Sequence, residues 1–248
     1  MSNATHAGWR FRPGPVITLA TLAFCVLTLF LGNWQAGRAE EKRALQAAME
    51  QRRAAAVVML TASQIDPEAI EWHRVRARGI YEPRFEVLLD NKVHEGRAGF
   101  HVLTPLRIAR SGVEGIERYV LVNRGWIAAG RLRENLPEAP IVAGEIEVEG
   151  VAVRPNTRYL ELESGTRRGK LWQNLDLDAY ARWSGLAVQP IVIQQRSDSS
   201  DGLVRVWQDP SAGVEKHVAY SWQWYSFCAL ALILYVGLNL KRRELKTS

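Results

Sequence analysis

Cysteine and methionine are scarce in this chain. Its 248 residues include 2 cysteines and 3 methionines, and no two cysteines are spaced C-x-x-C. Two cysteines cannot build a disulfide framework, and the missing C-x-x-C pair excludes zinc ribbons, thioredoxin-like redox sites and c-type haem attachment. So few methionines also argue against a methionine-rich copper carrier.

The motifs of common enzyme classes are missing as well. The sequence has no G-x-x-x-x-G-K-[ST] or G-x-G-x-x-G phosphate loop, no H-E-x-x-H zinc motif and no G-x-S-x-G nucleophile elbow. A Ser-His-acid triad stays open, because its members need not be neighbours in sequence, but no motif marks one. We therefore predict that the protein is not an enzyme.

Charge is absent from two long stretches of the chain. Residues 13–37 and 217–240 contain no Asp, Glu, Lys or Arg over 25 and 24 residues. Each exceeds the roughly 20 residues that a helix needs to cross a bilayer, so both are predicted transmembrane helices. The first also resembles the apolar region of a secretory signal, but no small-x-small cleavage site follows it, which favours an uncleaved anchor.

The basic residues outside these stretches indicate the orientation. The two flanks hold six basic residues and one acidic residue, whereas 38–216 holds 26 basic and 25 acidic residues. The positive-inside rule then places both termini in the cytoplasm and 38–216 on the other side. The net charge of +6 is thus a topology signal rather than a nucleic-acid footprint, and we expect a lipid membrane and no nucleic acid as partner.

Five segments follow from this topology. They are a cytoplasmic N-terminal arm (1–12), transmembrane helix 1 (13–37), an extracytoplasmic α+β domain (38–216), transmembrane helix 2 (217–240) and a cytoplasmic basic tail (241–248). We expect a bacterial inner membrane with the main domain in the periplasm. The mitochondrial inner membrane is the alternative.

The middle region has the alternation of a β-sheet. Residues 145–153 alternate strictly between apolar and polar side chains, the clearest strand signal in the chain. Further strands are predicted at 72–81, 85–93, 99–108, 118–127, 171–174 and 188–195, with helices at 33–53 and 176–183. The predicted fold is a membrane protein with two transmembrane helices flanking an α+β, mainly antiparallel β domain, as a curved sheet or a partly closed barrel.

Polar and aromatic side chains gather where both predicted spans reach the outer surface. The candidate site residues are His217, Tyr220, Trp224, Trp34, Gln35 and Arg38. Helical spacing places positions 217, 220, 221 and 224 on one face. An imidazole is a good iron ligand, aromatic rings suit a porphyrin face, and Arg38 or Lys216 can neutralise a propionate. An ordinary interfacial belt of Trp and Tyr is the alternative.

Other residues of chemical interest favour structural interpretations. His6, His73, His94 and His101 are expected in structural or solvent-exposed roles. Cys25 and Cys228 lie at similar depth in the two spans, where buried small side chains are a better interpretation than a redox pair.

The chain resembles the surfeit locus protein 1 family over about residues 15–240. The resemblance rests on L-G-x-W-Q-x-x-R at 31–38, R-G-x-Y at 78–81, Asn91, Gly99, Thr104-Pro105, V-N-R-G-W at 122–126 and K-H-x-x-Y-x-x-Q-W-x-x-F at 216–227. Family members are assembly factors for cytochrome c oxidase. The resemblance implies a transient haem A cofactor, with His217 as its metal ligand, received near haem A synthase and handed to the nascent large subunit of a haem-copper oxidase.

Two alternatives stay open beside this reading. A haem-independent scaffold that holds the unfilled oxidase subunit has the same topology. The V-N-R-G-W block has a structural interpretation, which we favour, in which Gly125 takes an unusual backbone conformation and Trp126 packs in the core. Direct contact of Asn123 or Arg124 with haem is the other.

Overall fold

The computed structural model describes residues 9–108, 117–130, 135–155, 167–207 and 212–242. The chain forms two compact units, one made of Met1–Ala47 with Asp209–Ser248 and the other of Ala48–Gln208. The first contains the long apolar helices and the second contains the sheet.

Two of the helices are long. The helices are α1 (Pro15–Ala54), α2 (Pro67–Ile70), α3 (Leu177–Ser184) and α4 (Val214–Asn239). Both α1 and α4 contain apolar windows, of mean hydropathy 2.2 and 1.3, and both are long enough to cross a membrane. The helix predicted at 33–53 is the continuation of α1, which carries on without a break beyond its apolar part.

The strands predicted from alternation are present. They are β1 (Trp9–Phe11), β2 (Val58–Leu60), β3 (Arg74–Tyr81), β4 (Val87–His94), β5 (Arg97–Ile108), β6 (Tyr119–Ala128), β7 (Glu145–Val153), β8 (Arg167–Arg168), β9 (Leu171–Trp172), β10 (Val188–Gln195) and β11 (Leu240–Arg242). A 3-10 turn at Pro83–Phe85 includes the first residue of the second predicted strand, so that strand begins two residues later than predicted, at Val87.

Five strands close into a ring. β3, β7, β10, β6 and β5 pair in that order, and β5 pairs back onto β3 through Gly79↔Ile108 to Tyr81↔Leu106. β10 and β6 run parallel, and the other four pairs of the ring run antiparallel. The remaining strands extend the sheet beyond the ring. The expected fold class, two candidate membrane helices flanking a mainly antiparallel, partly closed barrel, is confirmed.

The barrel interior is filled by alternate strand residues. Val75 and Ala77 of β3, Val148 of β7 and Ile191 and Ile193 of β10 are almost completely buried in one cluster. The intervening arginines and glutamates of β3 and β7 face solvent and pair across the strands, as Arg76 does with Glu149 at 2.8 Å. This alternation is what predicted the strands from sequence.

The short helix α3 has the ends that its sequence specifies. The Asp176 carboxylate accepts a hydrogen bond from the Ala179 N–H at 2.8 Å, which satisfies an N-terminal donor. Gly185 ends the helix in a left-handed conformation, with φ of 71°, where a side chain would be strained.

Several short elements have no counterpart in the predictions, and they are α2, β1, β2, β8 and β11. β1 and β11 pair antiparallel into a two-stranded ribbon that joins the beginning of α1 to the end of α4. Strands of three residues carry too little periodicity to be recognised from sequence.

Candidate functional site

The helices α1 and α4 pack antiparallel in a seven-residue register. Thr18 and Tyr235 share a hydroxyl hydrogen bond of 2.7 Å, the Cys25 thiol lies 3.9 Å from the Cys228 carbonyl oxygen, and the Ser221 hydroxyl donates to the Gly32 carbonyl at 3.0 Å. Successive contacts are seven residues apart in each helix, and the residue numbers rise in α1 as they fall in α4. This is the spacing of two helices that stay in contact along their length.

Small residues make the contact close. Both cysteines are buried and reduced at this interface, in agreement with their interpretation as small packing side chains. A Cβ on Gly32 would lie 2.4 Å from the ring of Tyr225, so glycine is required at this level. Close backbone approach through small residues is the usual way in which helices associate in membranes.

His217 lies on this contact and is held by Gln35. Its Nδ1 is 2.8 Å from Oε1 of Gln35. An amide oxygen only accepts hydrogen bonds, so Nδ1 carries the ring proton. In a neutral ring with this tautomer the lone pair lies on Nε2, the arrangement that a metal-binding histidine needs.

The pair has two distinct sides at this level. Helical periodicity places Gln35 and Arg38 of α1 on the same side as His217, Tyr220 and Trp224 of α4.

The opposite side is occupied by a separate inter-helix bond. There the Tyr225 hydroxyl donates to Oδ1 of Asn33 at 2.7 Å. This bond was not foreseen from sequence, because neither residue belongs to a pattern with a chemical meaning.

The other predicted residues have different surroundings. Tyr220 is 53% exposed, and Trp224 packs edge-on against Phe227 at 5.8 Å. The Arg38 guanidinium forms an exposed ion pair of 2.6 Å with Glu41. Trp34 is 53% exposed and lies about 200° around α1 from Gly32, so the helix pair does not bring it beside His217. The structure thus joins His217 directly to Gln35 alone among the six.

The site contains one histidine, His217, as a candidate metal ligand. Within the residues described, no group of three or more His, Cys, Asp or Glu side chains has the geometry to hold an ion. An iron bound at His217 would therefore take fewer than three protein ligands of these residue types, with its other positions filled by a further molecule or left open.

A second polar constellation lies inside the barrel. Arg124 of β6 is 1% exposed and contacts Glu86 and Asp201 at 3.2 Å each. Its guanidinium also donates to the Pro140 carbonyl oxygen and lies over the ring of Tyr81.

Further bonds complete the charge balance of this network. Asp201 also pairs with Arg205 at 2.6 Å, and Thr104 donates to Glu86 at 2.8 Å. Two cations and two anions therefore share the interior. Burial raises the pKa of the Tyr81 phenol, so that hydroxyl stays protonated and donates to Gln195.

The remainder of the V-N-R-G-W block has structural roles. The block lies within β6 rather than at its end. Gly125 has φ of 145°, and a Cβ there would lie 2.8 Å from the Val204 carbonyl oxygen. Trp126 is buried, and its backbone exchanges hydrogen bonds with Val204. These observations agree with the structural interpretation of Gly125 and Trp126.

His101 is a half-buried imidazole beside this block. Asn123 donates from its amide to Nδ1 of His101 at 3.2 Å, and Trp207 packs edge-on at 5.5 Å. Burial, together with the positive charge of Lys92, lowers the pKa of His101 from 6.5 to about 4. The ring therefore remains uncharged at neutral pH, as its structural assignment requires.

Comparison with known proteins agrees with the motifs. A model of the SURF1 family matches residues 22–229. A SURF1-like protein of Monosiga brevicollis is 25% identical, covering 97% of this chain and 94% of its own length. Surfeit locus protein 1 of Rattus norvegicus is 27% identical (89% of this chain, 75% of its own), and a SURF1-like protein of Rickettsia bellii is 22% identical (88% of each).

Proposed function

We propose that this chain, which belongs to the SURF1 family and so to a family linked to cytochrome c oxidase assembly, carries haem A for that assembly. It binds haem A at the outer end of the α1–α4 pair and passes it to the nascent large subunit. None of the matched descriptions names a catalytic activity, and in this proposal no bond of the cofactor is made or broken by the chain.

The observation that carries the proposal is the bond between His217 and Gln35. Histidines that bind metals almost always donate their other ring N–H to a carbonyl or carboxylate, which fixes the tautomer and makes the ligand more basic. Gln35 provides such a carbonyl, because its Oε1 lies 2.8 Å from Nδ1 of His217.

The dimensions of this side of the helix pair also suit a porphyrin. The register that pairs Gly32 with Ser221 places Trp224 opposite residue 29, nine residues below Arg38. That separation is about 14 Å along the axis, comparable with the width of a haem.

The same axis gives the cofactor a direction. Propionates directed towards Arg38 would find a cation, which a carboxylate near a membrane needs. The apolar tail would then lie along the lipid-facing side of α4, whose residues there are exposed and hydrophobic. Arg38 would have to exchange Glu41 for the propionate, and because that pair is exposed the exchange costs little.

Release is part of a carrier's task. A single histidine is a weaker hold than two, and Tyr220 beside it is more than half exposed, so the cofactor would leave sideways without unfolding the helix pair. The proposal places this end of the pair in the periplasm, near haem A synthase and the oxidase subunit, in a bacterial inner membrane.

The proposal is tested in cells that lack the endogenous gene and depend on this oxidase. We expect H217A to lower the haem A content of the purified oxidase, while H94A, a half-buried histidine outside the helix pair, restores it fully. Normal haem A content and normal assembly with H217A would contradict the carrier and favour a scaffold that grips the unfilled subunit without haem.

A further inference from the structure

The ribbon formed by β1 and β11 closes the end of the helix pair opposite to His217. Its register is Trp9↔Arg242, Arg10↔Lys241 and Phe11↔Leu240, and the Arg12 N–H extends it by donating to the Asn239 carbonyl at 3.0 Å. Pairing satisfies backbone groups that would otherwise be costly to leave open next to lipid.

Alternation gives the ribbon two different faces. Phe11 and Leu240, which are partners in the register, share one face and are 46% and 38% exposed. Phe11 packs edge-on against Tyr235 of α4 at 5.7 Å, so this apolar face lies beside the helix end.

The other face of the ribbon is purely basic. It carries Arg10, Arg12 and Lys241, all exposed. Arg10 lies directly opposite Lys241, which brings their Cβ atoms to about 5 Å. Like charges in this position destabilise a pair of strands. Among the residues described, no carboxylate lies within ion-pair distance of any of the three cations.

We propose that the basic face of the ribbon binds the phosphate of an anionic phospholipid headgroup. An anion between Arg10 and Lys241 would turn a repulsive cross-strand pair into an attractive one, with Arg12 beside it on the same face. The ribbon lies next to the beginning of α1 and the end of α4, two helices that are long and apolar enough to span a membrane. Lipid phosphates lie at the level where such helices leave the hydrocarbon layer.

The apolar face distinguishes a lipid from a free phosphate. Phe11 and Leu240 offer contact to acyl chains next to the phosphate site, and inorganic phosphate gains nothing from them. Basic residues beside a span are attracted to anionic lipids, and here a defined strand register fixes the spacing of two of them. This site is independent of haem and of the proposed carrier function.

The test is a titration of the full chain, purified in neutral detergent, with fluorescent short-chain phosphatidylglycerol, followed by anisotropy. Because the protein is already solubilised, a change in the membrane insertion of a variant does not affect the measured binding. We expect the double variant R10Q with K241Q to bind about 30-fold more weakly, the contribution of two cations at a membrane surface. Fluorescent phosphatidylcholine is the control lipid, and we expect it to bind the wild type no more tightly than it binds the double variant.

A charge reversal keeps the test informative if the double variant loses the ribbon. R10E places a carboxylate opposite Lys241, which supports the pairing of the strands but removes the anion site, so it should also lose phosphatidylglycerol. The matched control, R74Q with K170Q, removes two exposed cations from the sheet unit and should bind as the wild type does. Unchanged binding by R10E, or complete displacement of the lipid by millimolar inorganic phosphate, would overturn the proposal.

Discussion

Replacing Gln35 with leucine removes the acceptor that holds the Nδ1 proton of His217 while keeping a side chain of similar size. If His217 binds haem iron through Nε2, the loss of the acceptor on its other ring nitrogen weakens metal binding by about 10- to 100-fold. A factor in this range corresponds to roughly 1.4 to 2.7 kcal/mol.

The chain provides a matched control for this change. Y225F deletes the bond of 2.7 Å from the Tyr225 hydroxyl to Asn33, which also joins α1 to α4 but lies on the other side of the pair. It costs the helix pair a similar hydrogen bond without touching His217. Q35E is the conservative variant, because a carboxylate accepts the same proton.

The assay is a titration of the detergent-solubilised chain with haem B as the probe, followed by its absorption spectrum. We expect Q35L to raise the dissociation constant by 10- to 100-fold, Y225F to leave it within about twofold and Q35E to restore binding. The iron–histidine stretching frequency should fall in Q35L, since an imidazole without its acceptor is a weaker donor. Equal affinities of Q35L and Y225F would refute the role of Gln35.

Three other expectations concern the rest of the chain. R124M should destabilise the protein by about 3–5 kcal/mol in chemical denaturation, since it leaves the buried Glu86 carboxylate without a cation, whereas R76Q should cost less than about 1 kcal/mol. Stability should fall by about 3 kcal/mol from pH 6.5 to 4, because the unfolded His101 takes up a proton that the folded one, with a pKa of about 4, does not. H101Q should remove this part of the dependence of stability on pH. A pH dependence identical to that of the wild type would contradict the role of His101. Reporter fusions at both termini should read as cytoplasmic, and an extracytoplasmic signal from either would contradict the orientation.

Local signals predicted most of the fold. The strands of the ring were found because alternation fixes which residues face the interior, as Val75 and Ala77 do. α3 was found because Asp176 and Gly185 are side chains that start and end helices. The long helices were predicted because long stretches without charged residues are typical of membrane-spanning helices.

Contacts between distant segments could not be predicted from the sequence. The partners of Arg124 lie 38 and 77 residues away, at Glu86 and Asp201, and no periodicity connects them. The β1–β11 ribbon was not predicted for the same reason, since it pairs the two ends of the described chain. Parallel pairing of β10 with β6 also depends on the path of the chain rather than on local pattern.

The candidate site was predictable in part. Helical spacing identified the face of His217, Tyr220 and Trp224, and the two span ends were expected at one level, as the bond from His217 to Gln35 now shows. The direction of Trp34 was not considered, although its position two residues after Gly32 turns it away from α4. The sequence motif alone does not distinguish which of its members touch.

Binding of the cofactor by His217 is the central property proposed for this protein, and one spectrum tests it directly. The full chain and its H217A variant would be purified from cells that make haem A, and their bound haem measured by absorption and by pyridine haemochrome. We expect a Soret band of haem A with the wild type and with H73A, H94A and H101A, and its loss or a clear shift with H217A. A spectrum from H217A identical to that of the wild type would contradict the assignment of His217 as the ligand.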